Sequence, residues 1–243
     1  MCTQVLVIGV LVLIWHLCSL LSSPLLLPSP LSVAKEFMFI FKGKGAIDFI
    51  FTVSRTVLGA LFAGIIGITV GLIMGFYLRI YDAFEFTIDF LRNIPPVVLF
   101  PLFLLVFGIG EFSKIAPIVF AGSFYILIST MYGVRNIRKQ RIDGALVLGI
   151  SRFDLFRKVI FPEALPSILG GLRITLAISL ILVIVFEMFV GTSYGIGQRI
   201  TEAQMMYETS LLYAYIVLTG LLGYTMNKIF LIYEKKKTHW WGK

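Results

Sequence analysis

Charge is scarce in this sequence of 243 residues: Asp, Glu, Lys and Arg make up 14%, against 58% hydrophobic residues. That balance excludes a water-soluble domain, because so much apolar surface overfills any core a chain of this size can bury. With a mean hydropathy of +0.96, the solvent for most of the chain is lipid. Cysteine is nearly absent. Cys2 and Cys18 share one apolar segment and stand about 24 Å apart if it is helical, too far to pair within the chain. Histidine is equally sparse: His16 and His239 are isolated from each other and from any Cys or Asp cluster, so a zinc site has no support. No phosphate-binding GxxxxGK(S/T) and no nucleophile elbow occur, so the chain carries no ATPase of its own and is not expected to be an enzyme. The net charge of +8 gathers in a few loops and at the C-terminus. Such clusters suit anchors facing anionic headgroups, and nucleic acid is not an expected partner.

What is present is a series of apolar runs. Six are long enough to cross about 30 Å of hydrocarbon, at about 5 to 21, 53 to 77, 86 to 107, 115 to 133, 168 to 190 and 211 to 231. Six spans put both termini on one side, and charge selects the side. Arg79, Arg92, Arg135, Arg138, Lys139, Arg141, Arg152, Arg157, Lys158, Arg173, Lys228, Lys235, Lys236, Lys237 and Lys243 fall on one face; Lys35, Lys42, Lys44, Arg55, Lys114 and Arg199 fall on the other. Fifteen against six makes the termini and the 134–167 loop cytoplasmic by the positive-inside rule. The opening MCTQVLVIGVLVLIWHLCSLL lacks a basic residue ahead of its apolar run and an AxA-like site after it, so it reads as a retained span. The expected organisation is one integral domain: 1–26 a first span, 27–48 an outer-face segment, 49–233 the core spans with the 134–167 loop, and 234–243 a basic tail.

Three spans carry special features. In the second, Gly59, Ala63, Gly67, Gly71 and Gly75 place a small residue at every fourth position, which lets a neighbouring helix approach closely. Such a stripe rotates by about 40° per step, so one partner helix is not expected to cover it all. Tight packing inside the subunit is the plainer reading, with subunit pairing or pathway lining as the other. The third span opens with Arg92-Asn93-Ile94-Pro95-Pro96 and contains Pro101, which removes backbone donors and predicts a kinked or discontinuous helix. Broken spans line wet cavities or are buried in protein, which makes Asn93, Pro95 and Pro96 pathway candidates beside a purely structural kink. Glu187 is the acid expected inside a span, either as a gate or pathway group or as a structural hydrogen-bonding anchor. Arg173 reads as a snorkelling anchor, and no basic residue is expected in mid-span.

The most informative stretch is DGALVLGISRFDLFRKVIFP, Asp143 to Pro162, in the most basic loop. Gly149 breaks its helical pattern, and Ser151 with Asp154 can form a capping box that restarts a helix. Phe153, Phe156 and Ile160 then make an apolar stripe beside Arg152, Arg157 and Lys158. Pro162 and Pro166 are expected to end the element. On the outer side, Leu27-Pro28-Ser29-Pro30 with LSVAKEFMFIF predicts a Ser-capped, Pro-initiated helix, and Ser193-Tyr194-Gly195-Ile196-Gly197 a glycine turn into a short segment at about 198 to 207.

The loop resembles the EAA signature (EAA, three residues, Gly, nine residues, Ile, one residue, Leu-Pro) of the permease subunits of ABC importers. Asp143, Gly144 and Ala145 stand at EAA, Gly149 at the hinge glycine, Val159 at Ile, and Phe161-Pro162 at Leu-Pro. The departures are Glu to Asp, Ala to Gly, Ile to Val and Leu to Phe. Leu27-Pro28-Ser29-Pro30, Leu91-Arg92-Asn93-Ile94-Pro95, Pro101-Leu102, Phe107-Gly108-Ile109, Gly133-Val134-Arg135-Asn136-Ile137, Leu165-Pro166-Ser167 and Gly195-Ile196-Gly197 look like the branch handling aliphatic sulfonates, taurine and nitrate.

This resemblance implies an all-α integral membrane protein with six transmembrane helices, of the type I ABC importer (MetI-like) permease fold, in a bacterial cytoplasmic membrane. It further implies a second permease copy, two cytoplasmic ATPase subunits that use ATP and Mg, and an extracytoplasmic or lipid-anchored solute-binding protein. The chain itself would bind no cofactor. Asp143, Gly144, Ala145, Gly149, Ser151, Arg152, Phe153, Phe156, Arg157 and Pro162 would form the ATPase-coupling element, with Phe153 and Phe156 as anchors. An importer for a pyrimidine or riboflavin-type vitamin precursor is an alternative within the family. A stand-alone channel or secondary transporter is the rival outside it, with Glu187 as its thin support.

Overall fold

The computed structural model describes residues 2–43, 45–191 and 193–238. Lys44, His239 and Lys243 of the sequence reading, with the end of the basic tail, lie outside the described residues. There is no strand among those described. The helices are α1 (Cys2–Leu21), α2 (Pro30–Ile40), α3 (Gly45–Phe76), α4 (Leu78–Arg92), α5 (Phe100–Phe107), α6 (Glu111–Arg135), α7 (Lys139–Val147), α8 (Arg152–Leu155), α9 (Phe161–Val190), α10 (Ile196–Met205) and α11 (Thr209–Lys237), with a 3₁₀ turn at Pro96–Leu99 and a π turn at Phe156–Ile160.

Each of the six expected apolar segments is helical. Four helical runs are long and apolar enough to cross a membrane: Gly45–Phe76, Glu111–Arg135, Arg152–Val190 and Thr209–Lys237. The third expected span is broken. Leu78–Arg92 and Pro96–Phe107 meet at 83°, because the break falls on the proline pair and Pro101 is accommodated in the first turn of α5. The first is a shorter apolar helix, Val5–Leu21.

Internal contacts divide the chain into two compact units, Met1–Val53 with Ile184–Tyr224, and Ser54–Val183 with Thr225–Lys243. In the first unit, α2 starts as its sequence dictates: the Ser29 hydroxyl accepts the Ser32 N–H at 3.2 Å, and Pro30 opens the first turn. Trp15 donates its indole N–H to Pro28 O at 3.1 Å and stacks on Tyr213 at 6.2 Å. Thr209 and Tyr213 donate their hydroxyls to Pro24 O and Leu26 O, which fixes the loop after α1 against α11.

The second unit is organised around α6. A Cβ added at Gly59, Gly67, Gly71 or Gly75 would stand 2.6 to 2.7 Å from Ile118, Ser123 O, Leu127 O or Val134, so the small-residue stripe lets two helices lie backbone to backbone. Ala63 belongs to the same seam: its Cβ would be 2.9 Å from one added at Gly122. One helix covers the whole stripe, contrary to the expectation from its rotation. The contacting positions of α6 also advance in steps of about four, so its seam turns with the stripe. On its other side α6 meets α9, where the Thr175 hydroxyl donates to Gly122 O at 3.2 Å and Gly133 and Gly171 close on Ser167 and Ser129.

Candidate functional site

The Asp143–Pro162 loop forms from its local signals. Gly149 sits at φ +73°, a left-handed conformation that glycine adopts without a Cβ penalty, and it ends the turn after α7. Ser151 then caps α8 by accepting the Asp154 N–H at 3.1 Å, and Lys158 pairs with Asp154 at 3.1 Å.

Pro162 and Pro166 do not end the element. They lie in the first turns of α9, and the run from Arg152 to Val190 is continuous through the π turn. A proline cannot donate and its ring crowds the carbonyl four residues back. Ahead of Pro162 the chain widens, with the Phe161 N–H donating to Phe156 O, five residues back. The expected stripe is divided as well. Leu155 and Ile160 are buried; Phe156 packs its ring on Phe76 and Phe161 at 6.5 and 6.3 Å; Phe153 points away with 70% of its surface exposed.

The outward face of the loop is therefore specific. Leu146, Val147, Leu148 and Phe153 are exposed, with Arg152 and Arg157 beside them and Asp143 and Gly144 also open. Ala145 is half-buried against the core that holds Leu155 and Ile160. Arg141 pairs with Glu163, which ties α7 to the base of α9. This surface offers apolar contact with a cationic edge, and Leu155 and Ile160 behind it are buried.

The broken span makes a second site. Asn93 caps α4 and donates its side-chain amide to Asp89 O at 2.6 Å, while Arg92 pairs with Asp89 at 3.0 Å. Arg92, Asn93 and Pro96 line a cavity of about 360 Å³ with Phe120, Phe124, Tyr125 and Ser129 on its far walls. Pro95 is not among its lining residues. The break thus brings Arg92 to a cavity wall, where sequence placed it only at a span end.

Glu187 belongs to a different cluster, inside the first unit. Three successive amides of the glycine turn donate to three side chains: Gly195 N–H to Asp48 Oδ1 at 2.8 Å, Ile196 N–H to Thr52 Oγ1 at 2.9 Å, and Gly197 N–H to Glu187 Oε2 at 3.0 Å. The Thr52 hydroxyl donates to the Glu187 carboxyl oxygens at 2.9 and 3.0 Å, and Arg199 donates Nε to Asp48 at 2.8 Å. The hydrogen bond to Asp48 holds the Arg199 guanidinium above its ordinary pKa. Asp48, Thr52 and Glu187 are fully buried. The arrangement is that of the structural anchor: acids in an apolar chain are tolerated because each is met by donors. Glycine is required at 195 twice over, by φ +143° and because a Cβ would fall 2.5 Å from the Glu187 carboxyl carbon.

Sequence reasoning missed Asp48 and Thr52, because α3 begins at Gly45 rather than near 53. The signal was the four-residue spacing of Asp48 and Thr52, which puts both on one helix face. Arg55, expected among the outer-face charges, also lies inside α3. It is 2% exposed and makes a two-point pair with Glu111, at 2.6 and 2.7 Å, which Lys114 joins at 2.9 Å. Arg173, expected to snorkel, pairs with Glu234 at 3.4 Å.

Among known proteins, the family described as binding-protein-dependent transport system inner membrane component matches residues 67–239. A putative ABC transporter permease of Methanocaldococcus jannaschii is 33% identical over 236 residues, 94% of this chain and 88% of that one. The taurine transport system permease of Escherichia coli is 30% identical over 244 residues, 97% of this chain and 88% of that one. A chain of the MetNI methionine ABC transporter in an inward-facing conformation matches with a TM-score of 0.68 at 22% identity, over 77% of this chain and 93% of that chain, and so has the same fold.

Proposed function

We propose, because the chain belongs to the family of binding-protein-dependent transport system inner membrane components, that it forms the translocation path of an ATP-driven importer by pairing with a second permease copy and docking each Asp143–Pro162 loop on a cytoplasmic ATPase. ATP and Mg are used in that ATPase; this chain is the passive, membrane-spanning part. The observation that carries the reading is the outward face of the loop. Leu146, Val147, Leu148 and Phe153 remain exposed on a segment whose Leu155 and Ile160 are buried, in the manner of a surface awaiting a partner.

The geometry suits force transfer. From Arg152 the chain runs without interruption to Val190, so a displacement at Phe153 moves the foot of a spanning helix. Closure of the ATPase pair would draw two such feet together and shift the spans between outward-open and inward-open states. The loop and both termini are then cytoplasmic, as the distribution of Lys and Arg favours.

A small solute reaches this path from an extracytoplasmic or lipid-anchored binding protein. Relatives named for aliphatic sulfonates, taurine and nitrate favour a small solute that carries a sulfonate or similar oxyanion group, and Arg92 with Asn93 gives the broken-span cavity a polar wall. Phe120, Phe124 and Tyr125 on the facing walls support a second reading, a flat ring such as a vitamin precursor.

Phe153→Asp tests the docking role. In the assembled transporter it is expected to lower uptake and transport-stimulated ATP hydrolysis at least about tenfold, as loss of an interface anchor of about 2 kcal/mol would. Its membrane insertion and thermal stability are expected to stay near wild type, because the ring touches solvent. Phe156→Asp is the contrast: its ring belongs to the chain's own packing, so that variant is expected to lose stability. Full uptake with Phe153→Asp refutes the docking role.

A further inference from the structure

The break in the third span carries charge to a depth where the sequence leads one to expect none. Arg92 closes α4, and the cavity of about 360 Å³ that it lines has Phe120, Phe124 and Tyr125 on its other walls. Those three residues stand in the middle of α6, at least about 13 Å along the helix from either of its ends. The course of α4 agrees with that level. Tyr81 lies under the Arg135 guanidinium, and Ile88 packs with Leu127 and Met131, so α4 climbs along α6 from its Arg135 end to the cavity. Since α6 is long and apolar enough to span, Arg92 sits deep in the span.

At that depth Arg92 pairs with Asp89 through Nε at 3.0 Å, and the two side chains are 44% and 51% exposed. An ion pair left so open is costly against lipid and tolerable against water or protein, which makes the cavity an aqueous one. Among the described residues that line it, Arg92 alone is charged. Asp82 and Glu85, on lower turns of α4, do not line it, and Glu85 accepts the Tyr81 hydroxyl at 2.8 Å. Asn93, Tyr125 and Ser129 add neutral polar groups. A half-exposed pair between neighbours on one helix is weak, so an incoming anion can take the place of Asp89. A guanidinium also offers two parallel N–H donors to the oxygens of a carboxylate or a group of similar shape.

We infer that Arg92 is a specificity-determining residue of the path itself: it exchanges Asp89 for the oxyanion end of a small solute such as a sulfonate, whose remainder lies against Phe120, Phe124 and Tyr125. The inference rests on the reading of the chain as a translocation path, and it adds a selection made inside the membrane to the one made by the binding protein. A path needs a site that also lets go. Asp89 supplies that, because it competes for the guanidinium and returns to it as the solute leaves.

The test places a thiol in the cavity. Tyr125, 46% exposed, is replaced by Tyr125→Cys in the full chain, together with Cys2→Ser and Cys18→Ser. The purified protein is then treated with the anionic sulfonatoethyl or the cationic trimethylammonioethyl methanethiosulfonate, each rate being divided by that of free cysteine. The sulfonate reagent is expected to be favoured about tenfold, the low end of what a focused charge does to encounter rates. Arg92→Gln is expected to abolish the preference, and Asp89→Asn, which frees the guanidinium, to raise it. These opposite signs separate an anion site from a structural pair, and Asp89→Asn decides the matter if Arg92→Gln fails to fold. Arg79→Gln, at the far end of α4, is expected to change nothing. Ethanesulfonate is expected to protect the thiol and its neutral analogue ethanesulfonamide to leave it open. A thiol that reacts with neither reagent, a reaction without preference, a preference indifferent to Arg92 and Asp89, a loss as large in Arg79→Gln, or equal protection by the two analogues overturns the inference. In cells carrying the whole transporter, labelling at Tyr125→Cys is expected to stop uptake. Uptake stopped without any anion preference refutes the role of Arg92 and keeps the path, whereas full uptake with the preference intact refutes the path and with it the role in selection.

Discussion

Glycine does opposite work along the α3–α6 seam and in the Asp143–Pro162 loop. In the seam, the place where a Cβ would stand is already filled by the backbone or side chains of the neighbouring helix, 2.6 to 2.7 Å away at Gly59, Gly67, Gly71 and Gly75. In the loop, nothing comes within 4 Å of that place at Gly144 or Gly149. The seam is finished by the chain itself, since in lipid its association rests on close packing rather than on a hydrophobic drive. The loop is unfinished: its glycines set backbone flexibility and direction, and its apolar groups face outward. The difference separates residues that make the bundle from residues that would serve a partner.

The seam is where the comparison breaks most severely. Gly71→Leu would drive a Cβ into Leu127 O and Thr130 and push a branched side chain between two helices that lie backbone to backbone. A cost of about 3 kcal/mol or more is expected, read as a large fall in folded, monodisperse protein and in thermal midpoint. A variant that folded as well as wild type would mean that α3 and α6 do not meet as described.

How much of this was legible depended on how local the signal was. The hinge at Gly149, the cap at Ser151 and the small-residue stripe are written within a few residues and formed as expected. The cluster of Asp48, Thr52, Glu187 and Arg199 was not legible. Asp48 and Arg199 are 151 residues apart, and the start of an apolar run marks contact with lipid rather than the start of a helix. Pro162 misled for another reason. The rule that proline ends a helix assumes α geometry, and the π turn at Phe156–Ile160 carries the chain past it. The seam's single partner was hidden because a stripe can be read from one helix, but the matching turn of its neighbour cannot.

Within the loop, effects are expected to be smaller and to fall on coupling rather than folding. Gly149→Ala meets no neighbour, yet at φ +73° an L side chain costs about 1 to 2 kcal/mol. Because the strain is confined to the hinge, global unfolding is expected to change little. Hydrogen exchange across α7 and the hinge is expected to quicken several-fold, with uptake reduced in parallel. Unaltered exchange would show that the hinge does not need the left-handed conformation.

Gly144→Ala is expected to have the smallest effect, and its sign is the informative part. Gly144 sits inside α7 with open space where a Cβ would go, so no clash opposes the exchange. Alanine is the better helix former by about 1 kcal/mol, which corresponds to roughly fivefold slower amide exchange in α7. The resemblance to the EAA signature points the same way, because alanine is the residue it carries there. Stabilisation with undiminished uptake would mean that this face of α7 keeps its distance from the ATPase. Stabilisation with a loss of uptake would mean that the missing Cβ is a contact surface, and the boundary between bundle and partner would then extend from Phe153 back along α7 to Gly144.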